Sequence, residues 1–196
     1  MTKRSDGGDS IIEFDSSDKP NNATPRTDVR MSNITGVSAR GRNTILIRGG
    51  GDLVLANSIF VNPTGTCLDI DDAATVQAAG AAADENGPPV FRSVVFACQS
   101  PYVEDTNVTS AQVQAIFTGG TNNNPTFAST LTDVIINDAN ETAVTPFNAT
   151  SLAPFFLMAN DIGAVRDGND NWYAGWACGV NSKSSNCTAI PARPTT

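Results

Sequence analysis

Three carboxylates close together, Asp69, Asp71 and Asp72, are the residues whose type and spacing best suit chemistry in this chain. In an extended segment Asp69 and Asp71 project to the same side, the placement a paired acid/base site needs. Enzymes that cut acidic polysaccharides use aspartates in this way, as acid and base or as calcium ligands beside a basic proton acceptor. Arg92 could supply positive charge there if its segment lies alongside. Asp71 or Asp72 also has a plainer use, capping a short helix over the Ala-rich run from Ala73 to Ala83, with Gly80 weakening it. The chain contains no histidine. That excludes a Ser-His-Asp or Cys-His pair, an imidazole base, a His-bearing zinc site and the Gly-His-Gly element of related hydrolases.

Two further groups invite a ligand. Asp167, Asn169 and Asn171 place oxygen atoms at alternate positions, like the start of a calcium loop. Trp172 then stands where the sharp-turn glycine belongs and Cys178 where the bidentate glutamate belongs, so the segment reads as a turn with calcium as a minor option. Trp172, Tyr173 and Trp176 could stack on sugar rings; the alternative is an aromatic cap over a core, with Gly175 allowing close approach. Gly49-Gly50-Gly51 lacks the lysine of a phosphate loop and is a turn.

The elements that must position these residues are short. Met31 to Val37, Thr44 to Ile47, Leu53 to Asn62 and Val90 to Ala97 are runs rich in Val, Ile and Leu, broken by Gly and Asn. Three of them share a form: an apolar residue, then a turning residue (Asn33, Asn57 or Ser93), then a second apolar run. Asn33 and Asn57 are 24 residues apart; Asn57 and Ser93 are 36 apart, with the Ala-rich stretch between. Such intervals match turns of a solenoid, in which Asn serves corners by tolerating left-handed dihedrals. The fold expected is therefore all-β, a short right-handed parallel β-helix; an antiparallel sandwich is the competing arrangement. A helix over 111–117, capped by Thr109 or Ser110, and a strand over 130–137 complete the series. Residues 1–27 read as an irregular arm with one short strand, 28–150 as coils with helical insertions, and 151–196 as a C-terminal cap and tail. Within that cap, Ser151 to Met158 is expected to cover the open end of the core, since a last coil would otherwise expose strand edges.

Composition narrows the setting. The chain has 196 residues, 12 basic against 20 acidic, a net charge of −8, and only 16% charged residues. A basic stripe able to displace phosphate counterions is missing, so nucleic acid is not an expected partner. No apolar run reaches the roughly 18–20 residues of a membrane span. The first residues carry no apolar stretch of the signal-peptide kind, leaving a cytosolic protein or a piece of a secreted one. The four cysteines favour the second. Of three possible connectivities, Cys67–Cys98 and Cys178–Cys187 are expected, the latter stapling a polar tail; four reduced thiols are the alternative.

The stretch Asn171-Trp172-Tyr173-Ala174-Gly175-Trp176-Ala177-Cys178, with Asp161 to Val165, resembles the end of large, mostly uncharacterised secreted bacterial proteins. Ala83 to Cys98 and Gly120 to Pro125 are similar to the same group, so the resemblance spans most of residues 28–187. It implies a right-handed parallel β-helix and the last coils of a longer ancestor; it carries no catalytic residues with it. The expectation is a non-catalytic, secreted or cell-surface module, structural or adhesive, that binds a cell-surface glycan or another copy of itself. The alternative is a carbohydrate-active enzyme on an acidic polysaccharide, using Asp69 and Asp71. No cofactor is expected beyond the calcium option.

Overall fold

The computed structural model describes residues 2–4, 10–80, 85–105, 107–175 and 177–184. Its framework is one curled sheet of seven strands: β1 (Thr2–Arg4), β2 (Ile12–Asp15), β3 (Asp28–Ser32), β4 (Thr35–Ser38), β5 (Ile45–Arg48), β6 (Asp52–Ile70) and β7 (Val90–Tyr102). Every pairing between these strands is parallel. Val29 lies beside Leu53, and Thr35 beside Ile59, so the interval of 24 residues read from the sequence is the register of the sheet. The longer interval carries Leu55 to Phe91 and Phe60 to Phe96.

The corners are local. Asn33, Asn57 and Ser93 have left-handed φ of 60°, 48° and 53°, and Asn122, stacked next in the column, has 56°. Each turns the chain so that apolar side chains on both arms point inward. Leu53, Leu55, Phe60, Leu68 and Ile70 of β6 fill the core with Ile45, Ile47, Phe91 and Phe96. Ile59 and Val95 face the other way and are buried too, under Ile162, Phe127 and Leu131 of the C-terminal part. Covering on both faces explains why Ile59, Phe60 and Val61 follow one another as an apolar run within β6. The Cys67–Cys98 disulfide ties β6 to β7, with Cα atoms 5.6 Å apart. Cys178 is also disulfide-bonded, and its expected partner, Cys187, lies outside the described residues.

Helix α1 (Ser110–Thr118) forms where the capping signal places it. Thr109 accepts from the Gln112 amide while the Gln112 side chain accepts from the Thr109 amide, and Gly119 ends the helix. Its Val113 and Phe117 are fully buried, and the Phe117 ring stacks on Phe96 at 4.3 Å between centroids. α1 therefore closes the core next to β7. The expected cover, Ser151 to Met158, does otherwise: after a turn of 3-10 helix (Ala149–Ser151), Phe155 and Leu157 are 85% and 87% exposed.

Two other expectations are corrected. In its described part, up to Gly80, the Ala-rich run forms a turn over 73–76 and no helix, since Asp72 before it takes a left-handed φ of 70° and not the extended backbone of a helix cap. The stretch 130–137 holds only isolated bridges, Thr132 with Ile136 and Ile136 with Val165. The short strand expected in the N-terminal arm is present as β2, which pairs with β5 along its whole length. A second, very short helix (Ala139–Thr142) is capped reciprocally by Asp138 and Glu141. Among the described residues no helix is long and apolar enough to cross a membrane.

Candidate functional site

Asp69 sits between two core residues, Leu68 and Ile70, so strand alternation turns it away from the core. It is nevertheless only 7% exposed. Asn43, from the connection entering β5, lays its amide over it and donates to Oδ2. Asp71 leaves β6 on the same side, its N–H donating to the Ile47 carbonyl at 2.9 Å. The two carboxyls meet as the spacing predicts. Oδ1 of each is buried and receives no hydrogen bond from a protein donor. Burial first, then the Asp71 carboxyl, then Asp105, push Asp69 up to about 7. Burial also raises Asp71, against the pull of the Asp69 carboxyl and the Arg48 charge.

Arg48 is a cation whose charge reaches Asp71. It projects from β5 and pairs with Asp15 at 2.6 Å and Glu13 at 2.9 Å on β2, all three half-exposed. Arg92 is elsewhere. Its register partner is Ala56, at the far arm of β6, and its guanidinium lies 5.3 Å from the Phe147 ring centroid. Asp72, offered by sequence as a helix cap, instead accepts from the Gly49 N–H at 2.9 Å and holds the glycine turn.

A second polar cluster has no counterpart in the sequence reading. Arg26 is fully buried, its Nη2 3.0 Å from Glu85 and its Nη1 3.8 Å from Asp52, and Nη1 donates to the Ala74 carbonyl at 2.7 Å. Asp52 accepts from the Asn86 N–H at 2.6 Å. Three segments far apart in sequence converge here, and no local pattern announces that. The one available signal was indirect, since a chain with few basic residues places one of them in a Pro-Arg-Thr turn just before the first apolar run.

The remaining candidates stay apart. Asp167 accepts from the Asn169 N–H at 2.7 Å and from Arg166, and Asp170 accepts from the Arg166 N–H, which makes an exposed turn. Among the described residues no three acidic or cysteine side chains converge as metal ligands. Tyr173 is fully buried with Ile135, Ile136 and Val165, and its hydroxyl accepts from Asn181. Trp172 is 49% exposed, its indole N–H donating to the Ala164 carbonyl at 2.8 Å. Trp176 lies outside the described residues.

Chemically, the Asp69–Asp71 pair can hold and release one proton near neutrality. Glycosidic cleavage asks for more: carboxyls about 5–5.5 Å or 6.5–9.5 Å apart, flanking the bond to be cut. Asp69, nearly buried and covered by the Asn43 amide, has little surface to offer a sugar. Neither a protein-family model, nor a curated protein, nor a solved structure matches the chain.

Proposed function

We propose that this chain is a non-catalytic module of a secreted or cell-surface bacterial protein, wound as a right-handed parallel β-helix and serving structure or adhesion. The observation that carries the reading is the internal use of Asp69: nearly buried and held by Asn43, it is part of the wall. The parallel register with its repeating interval supports the solenoid, and the Cys67–Cys98 disulfide suits an oxidising compartment. Trp172, held in place by its hydrogen bond and half-open to solvent, is the contact offered to a cell-surface glycan. Glycan-array binding that is lost in Trp172→Ala, with no turnover of any polysaccharide, is the expected result.

One observation favours the enzyme reading: an acid titrating near 7 on the outer face of a sheet is what a general acid would need. Turnover of an acidic polysaccharide, abolished by Asp69→Asn, would replace the first reading with this one.

A further inference from the structure

Among the described residues three asparagines precede glycine or serine, small residues that leave the following backbone nitrogen little shielded: Asn57 before Ser58, Asn86 before Gly87 and Asn181 before Ser182. Such a nitrogen can attack the side-chain carbonyl carbon of the asparagine and close a cyclic imide, most freely at glycine. The fold treats the three differently. Asn57 is fully buried, its Nδ2 donating to the Phe147 carbonyl at 2.9 Å and its Oδ1 accepting from the Phe147 N–H at 2.7 Å. Asn181 donates to the Tyr173 hydroxyl, and its Oδ1 accepts from the amides of Lys183 and Ser184. Asn86 is exposed, and among the described residues neither its side-chain amide nor the Gly87 N–H makes a hydrogen bond. Its own N–H donates to Oδ2 of Asp52 at 2.6 Å, which holds the backbone and leaves the side chain free to turn.

The segment around Asn86 closes the Arg26 cluster. Glu85 lies 3.0 Å from the Arg26 guanidinium, and its carbonyl accepts from the Gly80 N–H at 3.0 Å. Gly87 is buried at a left-handed φ of 94°, where a Cβ would come 3.1 Å from the Ala79 nitrogen. Burial raises the Asp52 carboxyl, against the Asn86 hydrogen bond and the Arg26 charge, and the charges of Asp28 and Glu85 push it the same way as burial. Added backbone has no room here, and added negative charge has one buried guanidinium to share.

We propose that Asn86-Gly87 is a modification site, at which asparagine converts spontaneously to isoaspartate and aspartate, and that the conversion loosens the Arg26 cluster as the protein ages. The Gly87 nitrogen gives its proton to hydroxide and attacks Cγ of Asn86. The N–Cγ bond forms, the Cγ–Nδ2 bond breaks, and the departing nitrogen takes a proton from water and leaves as ammonia. Water then opens the imide. Attack at the Asn86 backbone carbonyl gives isoaspartate; attack at Cγ gives aspartate. The only co-reactant is water, which reaches the exposed Asn86 side chain. Either product sets a new carboxylate on the residue whose N–H holds Asp52. Isoaspartate also adds a methylene to the main chain, which forces Gly87 against Ala79 and pulls on the bond to Asp52. This inference is independent of both functional readings above.

The test incubates the folded whole chain at pH 8 and at pH 5.5, then maps it by reduction and trypsin digestion. One tryptic peptide, residues 49–92, holds both Asn57 and Asn86, so fragmentation compares the two within one molecule. The mass gain of a hydroxyl replacing an amide should appear at Asn86, and faster at pH 8. An isoaspartate-specific methyltransferase should label the same position from S-adenosylmethionine. Asn57 must first break its buried hydrogen bonds, so it should convert more slowly by about tenfold or more. The converted fraction, separated by its extra charge on anion exchange, should unfold at lower urea than the unconverted one. Asn86→Gln, an exposed change whose longer side chain closes the larger ring poorly, should show neither the mass gain nor the ageing. No gain at Asn86 in the folded chain, conversion of Asn57 at the same rate, or equal urea midpoints for the two fractions would overturn the proposal.

Discussion

At the start of β6 a buried carboxylate meets a guanidinium; at its end another meets a second carboxyl. Asp52 is 3% exposed and shares Arg26 with Glu85, whereas Asp69 is 7% exposed and has its pKa pushed up to about 7 by burial and the Asp71 charge. Both arrangements answer the same difficulty, that an ionised group removed from water needs a compensating charge or must be neutralised. A fixed cation answers it at any pH. A proton answers it only while the solution supplies one. Burial still raises Asp52 above its ordinary value, ahead of the opposing Asn86 hydrogen bond and Arg26 charge. The end of β6 is therefore the part of the fold that reads pH near neutrality, and the start of β6 is the part that holds the turns together regardless.

The strongest break of this comparison is Arg26→Met. Asp52 and Glu85 would then be buried together without their cation, and the loss should be about 3–5 kcal/mol in urea unfolding. Replacing Arg26, Asp52 and Glu85 together by apolar residues of similar volume should recover most of that. If Arg26→Met alone costs less than about 1 kcal/mol, the cluster is wetter than its burial indicates and the contrast with Asp69 disappears.

Next in size is Asp69→Asn, read as a change in pH dependence. A carboxyl whose folded-state pKa is raised contributes stability that is fully present below its ordinary pKa near 3.8. That contribution is lost as pH climbs through about 7. The unaltered chain should melt at a lower temperature at pH 8 than at pH 5.5. In Asp69→Asn the amide can accept from Asn43 and donate to Asp71 at every pH, so this part of the slope should vanish and the variant should be the more stable of the two at pH 8. A slope that survives the substitution would move the pH response away from this pair.

These contrasts were unevenly legible in the sequence. The Asp69–Asp71 contact follows from the two-residue period of a strand, and the corners follow from small polar residues set between apolar runs. Asn122 is a fourth corner, unrecognised because it stands in a Gly-Thr-Asn-Asn-Asn-Pro loop where nothing apolar precedes it. α1 was readable from its cap, but not its position over the core, which depends on Phe117 reaching Phe96. Arg26 and Arg92 could not be placed at all. A register of 24 residues in one layer and 36 in the next decides which basic residue meets which acid, and composition holds no record of it. Asp72 misled because a capping residue and a left-handed turn residue have the same chemistry.

Two smaller substitutions separate the cation that touches the acidic pair's field from the one that does not. Arg48→Gln removes half-exposed ion pairs with Glu13 and Asp15, so its stability cost should stay within about 1 kcal/mol. The Arg48 charge also pulls Asp71 down, so the pair should hold its proton to higher pH, visible in carboxyl chemical shifts. Arg92→Ala should remove about 0.5–1 kcal/mol from its contact with the Phe147 ring and leave the Asp69 titration where it was. Arg92 lies opposite Ala56 in the register, on the other arm of the strand that carries Asp69. A shift of the aspartate titration in Arg92→Ala would mean that the two arms approach each other in solution, and the acidic pair would then have the facing base that a catalytic reading requires.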